Sequence, residues 1–364
     1  MTFTRITKLF PCLLGLLCTL GLNANAADDW RPPPPTGEEG FDWIELKSGE
    51  WLKGKVKSMQ DEKLEFDSEE LNLLTFNWKD IRTVRSARLV SVRLEKMKPV
   101  EGSMLVTTNK VQIVAPDSTN TFPRANLLAI APTGDREVDK WTGKLSAGFS
   151  FQSGNTRKTD VNAFASAQRR TPDTRLNLQY SVNYGEVKGD EVEQNHRFSG
   201  QFDYFLSRRL FVRVPDIEYF RDPFQNLEHR LTLGAGVGYD LVKTSRTEWN
   251  VTVSPSWQRN WYASVPSSGS AVADSVAGVF DTHFDTELTQ RVDLIAEYRG
   301  VLSRKETGND THYARTTLEF EIHKRLTLDI TFEWERISSP QAQSGGGTPT
   351  PDDFRLITAI GLDF

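Results

Sequence analysis

Beyond its first two dozen residues, this 364-residue chain has no apolar run long enough to cross a bilayer as a helix, and its mean hydropathy is −0.47. Helical spans need about 20 consecutive apolar residues, so a helical membrane protein is excluded. A membrane β-barrel is not, because its strands are apolar only at every second residue and average out polar. Basic charge is not in excess either: 44 Lys and Arg face 49 Asp and Glu, which argues against a nucleic-acid partner. Cysteine is scarce, with two in all. Gly-x-Ser-x-Gly, His-Glu-x-x-His and calcium-loop patterns are missing, so no enzyme activity, cofactor or metal centre is expected. Aromatic residues, by contrast, make up 10% of the chain and include nine Trp, more than a disordered chain carries.

Arg5 and Lys8 precede an apolar stretch from Leu9 to Leu22, and Ala24-Asn25-Ala26 and the acidic Asp28-Asp29 follow it. A basic end, a short apolar core and a small-x-small exit read as a secretory signal peptide over residues 1–26, cut after Ala26. Cys18 raises the question of a lipoprotein, but Leu17 before it is too bulky for the usual lipidation box. Cleavage removes Cys12 and Cys18 and leaves 42 basic against 49 acidic residues, a net charge of −7. An exported chain without disulfides draws its stability from a large core or from a membrane. Residues 27–40 hold Pro32-Pro33-Pro34-Pro35 and read as a stiff polyproline linker.

Residues 41–133 read as a tandem repeat. Leu46, Gly54, Val56, Leu64, Phe66, Phe76, Ile81 and Val84 in the first copy correspond to Leu94, Gly102, Met104, Val111, Ile113, Phe122, Leu127 and Ile130, at an offset drifting from 48 to 46 residues. Each copy has short alternating runs and no helical stripe, which predicts two small β-barrels or one intertwined β-sandwich. Residues 134–140 form a linker.

From Trp141 the alternation lengthens. Leu176, Leu178, Tyr180, Val182 and Tyr184 alternate with polar residues, as do Leu231, Leu233, Ala235, Val237 and Tyr239, and Leu326, Leu328, Ile330, Phe332 and Trp334. Twelve such runs over 141–364 predict an all-β fold: a 12-stranded antiparallel transmembrane β-barrel behind a small periplasmic β domain. Alternation alone also suits a soluble sandwich, and three further features favour the barrel. The runs extend over about ten residues, the length a tilted membrane strand needs. Links after even strands are short (171–173, 207–209, 290–291, 324–325), with 241–247 the exception, while those after odd strands are long (186–193, 263–276, 303–311, 338–353). Short periplasmic turns and long extracellular loops are the bacterial pattern, with the N-terminal domain then periplasmic. Finally, Phe354, Leu356, Thr358, Ile360 and Leu362 alternate to Phe364, an expected signal for the barrel-assembly machinery, read by strand addition.

The barrel residues also resemble a known family. Gly154-Asn155-Thr156, Tyr204-Phe205-Leu206, the run from Arg221-Asp222-Pro223-Phe224-Gln225 to His229-Arg230, and Leu233-Gly234-Ala235-Gly236-Val237-Gly238-Tyr239 are similar to the DUF481 family, described as salt-induced outer-membrane proteins of Gram-negative bacteria. The resemblance spans about 141–364, implies fold and outer-membrane location, and brings no catalytic residues. The repeat region resembles the SH3-like modules sometimes fused before such barrels.

Gly234-x-Gly236-x-Gly238 lies within a strand, so close packing is expected there rather than a phosphate loop. The five histidines, His196, His229, His283, His312 and His323, all fall in the barrel. Outer-membrane lipid hydrolases use a rim His and Ser, but no fixed serine and carboxylate partner is apparent. Strand parity aims Asp281, Asp285, Glu287, Asp293, Glu297, Glu319, Glu321, Asp329, Glu333 and Glu335 into the lumen, offset by Arg299 and Arg315. It aims Lys144, Arg175, Arg197, Arg213 and Arg230 inward on the other side, against Asp160, Asp203, Glu228 and Asp240. An acidic wall facing a mixed-to-basic one predicts a narrow cation-preferring pore. The alternatives are a closed structural or envelope-stress barrel cross-linked by these charges and anchoring a periplasmic binding module, and a lipid hydrolase. Outer-membrane lipid, peptidoglycan and a periplasmic protein are the candidate partners.

Overall fold

The computed structural model describes residues 40–68, 70–115, 118–133, 137–153, 157–266, 269–345 and 347–364; the signal peptide, nearly all of the proline linker and Gly154-Asn155-Thr156 lie outside them. Nine strands come first: β1 (Asp42–Leu46), β2 (Trp51–Gln60), β3 (Lys63–Ser68), β4 (Asn72–Asn77), β5 (Ile81–Leu94), β6 (Val100–Val106), β7 (Lys110–Ala115), β8 (Ser118–Pro123) and β9 (Leu127–Pro132). They form one sheet, in which β5 is shared. Asp42 pairs with Gly54 and Ser86 in the first half, and Val90 pairs with Gly102 and Pro132 in the second, which reproduces the offset of 48 to 46 residues. The strand pairing thus follows the same spacing in both halves, but the halves are not separate barrels. Ile44, Val56, Leu64 and Phe66 of one and Val92, Met104, Ile113 and Ile130 of the other pack into a single core, because neither alone buries enough apolar surface. Gly54 and Gly102 keep this crossing tight: a Cβ would stand 2.2 Å from the Asp67 carbonyl or 2.7 Å from that of Val114.

A 3-10 turn, Glu137–Lys140, occupies the end of the expected linker. Twelve strands then follow: β10 (Trp141–Gln152), β11 (Lys158–Arg170), β12 (Thr174–Val187), β13 (Asp190–Phe205), β14 (Leu210–Asp222), β15 (Leu227–Lys243), β16 (Thr247–Tyr262), β17 (Val272–Thr289), β18 (Val292–Leu302), β19 (Asp310–His323), β20 (Leu326–Ile337) and β21 (Asp352–Asp363). Each pairs with the next, and β21 returns to β10, closing the barrel. The surface is inverted relative to a soluble protein. Leu356 is 75% and Val276 73% exposed on the outside, while Gln258, Ser254 and Thr232 are buried within. Only a lipid solvent makes that inversion favourable, so the fold is a transmembrane barrel.

Two links differ from expectation. β15 continues to Lys243, so the turn 244–246 is as short as its counterparts. β12 and β13 are joined by Lys188-Gly189 alone, whose φ angles of 55° and 96° close the hairpin directly in place of a loop over 186–193. The turns 171–173, 206–209, 244–246, 290–291 and 324–325 therefore share one rim, and the tight turn 188–189 shares the other with the long links after β16, β18 and β20. The closing seam is brief: Lys144↔Asp363 to Ala147↔Ile360, extended by backbone hydrogen bonds of 2.9 Å each way between Gly143 and Phe364.

Candidate functional site

The ladder register sets the ten predicted acids on the luminal side of β17–β20, in neighbouring pairs such as Glu319↔Asp329. They do not form a free acidic wall. Lys144, read as part of the opposite side, contacts Asp329 at 2.9 Å and Glu319, because closure of β21 onto β10 brings it next to β20. Arg197 bridges the lumen between Glu218 at 2.8 Å and Glu335 at 2.7 Å. Arg230 lies within 3.9 Å of both. Arg299 holds Asp281 at 2.7 Å and reaches Asp216 and Glu218 at 3.3 and 3.4 Å. Arg355 joins Glu193 and stands 4.0 Å from Glu333 and Glu335, while Arg315 is 3.7 Å from Glu333. Together these groups form a buried ion-pair layer across the barrel.

Toward the short-turn rim, Asp203 is shared by Arg213 (2.7 Å) and Arg175 (2.9 Å), and Arg175 also holds Glu248 at 2.8 Å. Glu297 receives Gln179 at 2.8 Å and lies 3.3 Å from His283. At that rim Asp285, Asp293 and Glu321 make no ion pair among the described residues, and Glu287 meets Lys63 at 3.2 Å.

Asp216, Glu218, Glu248, Glu193 and Arg355 were missed from sequence. For the first two, a register shift between Arg213 and Asp216 reverses the parity of β14, and Pro215 in mid-strand was its readable signal. A second shift, between Leu227 and His229, turns Glu228 away from its expected luminal place; it pairs with Arg221 at 3.4 Å. The glycine stripe packs as expected: a Cβ on Gly236 would fall 2.1 Å from Ser254 Oγ, and one on Gly238 2.1 Å from the Phe211 ring.

Below the ion-pair layer lies a cavity of about 710 Å³, lined by Arg175, Arg213, Glu248, Asp281, His283 and Glu297, and reaching Phe364 and Leu73. At the other rim the long loops knit together. Asn226 Nδ2 donates to the carbonyls of Ser264 (2.8 Å) and Gln341 (3.1 Å), and buried Thr307 accepts Gln258 through its carbonyl at 2.8 Å. Phe220, Leu227, Tyr262 and Ile337 cluster beneath them.

The nine-stranded domain docks on the short-turn rim. The β2–β3 hairpin tip, Asp61-Glu62, has φ angles of 52° and 61° and presses both carboxylates onto barrel cations. Asp61 meets Lys243 at 2.6 Å and Arg170 at 3.2 Å, and Glu62 meets Arg208 at 2.9 Å. Burial alone would raise the Asp61 carboxyl, but the charges of Arg170 and Lys243 outweigh it and hold the group below the ordinary aspartate range. Buried Arg93 donates to the carbonyls of Pro172 and Phe205 and pairs with Asp173 at 3.1 Å.

Three histidines accept or share a proton with outward tyrosines near the long-loop rim: Tyr180–His196 (2.8 Å), Tyr219–His229 (2.9 Å) and Tyr298–His312 (2.7 Å). One His, Asp and Ser do converge. His312 Nε2 is 3.0 Å from Asp310, and Ser338 Oγ donates to the same carboxylate at 2.5 Å. The carboxylate stands between the other two, and the other ring nitrogen faces Tyr298, so the serine has no imidazole base. Among the described residues, no group of three or more His, Cys, Asp or Glu could hold a metal ion.

The family model described as "protein of unknown function, DUF481" matches residues 145–364. The chain belongs to the DUF481 family. The matched segment is the barrel, and the nine-stranded domain of this DUF481 protein precedes it. No curated protein matches the chain. Among solved structures it is similar to a NanC porin, at 10% identity over 61% of this chain and 98% of that one, with a TM-score of 0.36. An outer membrane channel from Pseudomonas putida F1 has 11% identity over 62% and 95%, with a TM-score of 0.35. The translocator domain of the autotransporter NalP from Neisseria meningitidis has 10% over 62% and 87%, with a TM-score of 0.34.

Proposed function

We propose that this DUF481 barrel is a gated outer-membrane channel whose N-terminal domain stands on the periplasmic side. The observation that carries the reading is the 710 Å³ polar cavity that reaches the short-turn rim and stops at the ion-pair layer of Arg197, Arg230, Glu218 and Glu335. A buried layer of matched charges excludes water while intact and opens a wet path when one partner moves. Asp285, Asp293 and Glu321 then favour cations at the periplasmic mouth. The same cross-linking also suits a closed structural barrel that anchors the sheet domain, and conduction separates the two. In planar bilayers the folded full-length protein gives brief cation-preferring steps. Glu335→Gln, which removes one of the two carboxylates that hold Arg197, prolongs them, and Asp285→Lys with Asp293→Lys weakens the preference. Silence from well-folded wild type and Glu335→Gln alike overturns the channel reading.

A further inference from the structure

Where the hairpin tip meets the barrel, a second cavity of about 80 Å³ remains. Its lining holds five cations, Arg93, Arg170, Arg208, Arg209 and Lys243, and two acids, Asp61 and Glu62, while Asp173 behind Arg93 (3.1 Å) and Asp240 behind Lys243 (2.9 Å) leave the cations one in excess. Arg170 shows what is missing. Its side chain is 10% exposed, and its guanidinium carbon stands 4.0 Å from the centre of the Phe205 ring. Nη2 reaches Asp61 at 3.2 Å, while Nε and Nη1 on either side of it are buried without a hydrogen-bond partner. Buried N–H groups on a charged fork are costly to leave unpaired, and an anion that offers two oxygens to the fork suits them. Across the cavity, Lys243 Nζ stands 2.6 Å from the same Asp61 carboxylate. Arg209 makes no ion pair among the described residues.

We propose that this junction binds a small oxyanion of the phosphate or sulfate class, held by Arg170 and Lys243 in competition with the Asp61 carboxylate. Size limits the ligand. A water takes about 30 Å³ of liquid, so the space admits a five-atom anion and excludes a nucleotide or sugar. Asp61 acts as a tethered anion that half-fills the site. A soluble anion that takes over Arg170 and Lys243 removes two of the contacts holding the sheet domain on the barrel, so occupancy and docking oppose each other. The inference stands whether or not the barrel conducts.

The test uses the full chain in a phosphate-free nonionic detergent, with folding checked by heat-modifiable gel mobility. Inorganic phosphate is titrated calorimetrically, with chloride at equal ionic strength as the control. Wild type binds phosphate weakly, and Asp61→Asn, which removes the internal competitor, tightens binding about tenfold, equivalent to about 1.4 kcal/mol. Adding Arg170→Gln or Lys243→Gln to Asp61→Asn reverses that gain. A phospholipid headgroup carries the same chemistry, so phosphatidic acid is titrated in parallel. Binding of the lipid without free phosphate overturns the proposal, as do equal binding of chloride, no binding by Asp61→Asn, or a gain that survives both cation replacements.

Discussion

Replacing Asp203 with Asn tests whether the charge cluster at the short-turn end of the lumen is dry. Asp203 is fully buried and serves two guanidinium groups: Arg213 through Nε at 2.7 Å and Nη2 at 3.2 Å, and Arg175 through Nε at 3.0 Å and Nη2 at 2.9 Å. The substituted amide keeps one acceptor oxygen but no charge. Arg175 retains Glu248, whereas Arg213 has no other ion-pair partner among the described residues. A charge pair about 4 Å apart is worth about 1 kcal/mol in water and about 4 kcal/mol at the effective dielectric of a protein interior. Breaking a buried pair costs about 3–5 kcal/mol. With one guanidinium orphaned, Asp203→Asn in a dry lumen loses about 3–4 kcal/mol, against about 1 kcal/mol in a flooded one. Urea unfolding in lipid vesicles, read by tryptophan fluorescence, measures the difference. Combining Asp203→Asn with Arg213→Gln relieves the orphaned charge, so the two losses are expected to be less than additive by about 2 kcal/mol. A loss near 1 kcal/mol with simple additivity would falsify a dry setting for the Asp203, Arg213 and Arg175 cluster.

The remaining predictions address packing, docking and pH. Gly238→Ala forces a Cβ to within 2.1 Å of the Phe211 ring and 2.8 Å of Thr252 Oγ1, and is expected to cost about 1–3 kcal/mol by the same unfolding assay. Arg93→Ala removes the links to Pro172, Phe205 and Asp173. It is expected to speed tryptic cleavage between the sheet domain and the barrel while leaving heat-modifiability intact; an unchanged rate refutes a docking role. Because the Asp61 carboxyl is held below its unfolded value, its contribution is fully present above about pH 4 and disappears as pH falls through its folded value. Hydrogen-exchange protection in the 60–63 hairpin, taken relative to the intrinsic rate at each pH, is therefore expected to match at pH 7 and pH 5, and lost protection already at pH 5 contradicts the assignment.

The alternation in β10–β21 was legible because lipid outside and a polar lumen inside impose a two-residue period on every strand, whatever its neighbours. The matched spacing of the two halves before the barrel has a similar local reason: Gly54 and Gly102 each sit where a carbonyl of the paired strand comes close. Loop lengths were less legible, since Lys188-Gly189 closes a hairpin by φ angles that polarity does not report. The charge map was read only half correctly. Parity follows the facing of side chains only between register shifts, and it does not say which of them meet. Lys144 joins Glu319 and Asp329 because the barrel closes, and Arg197 joins Glu335 because the lumen is narrow enough to be bridged. Asp216 and Glu218 turn inward because of a bulge at Pro215. Strand identity and facing thus follow from the chain's own periodicity, a local property of each segment. Closure, bulges and the seat of Asp61 between Arg170 and Lys243 decide the electrostatics, because Coulomb energy depends on distances between segments far apart in sequence, and only the tertiary structure sets those.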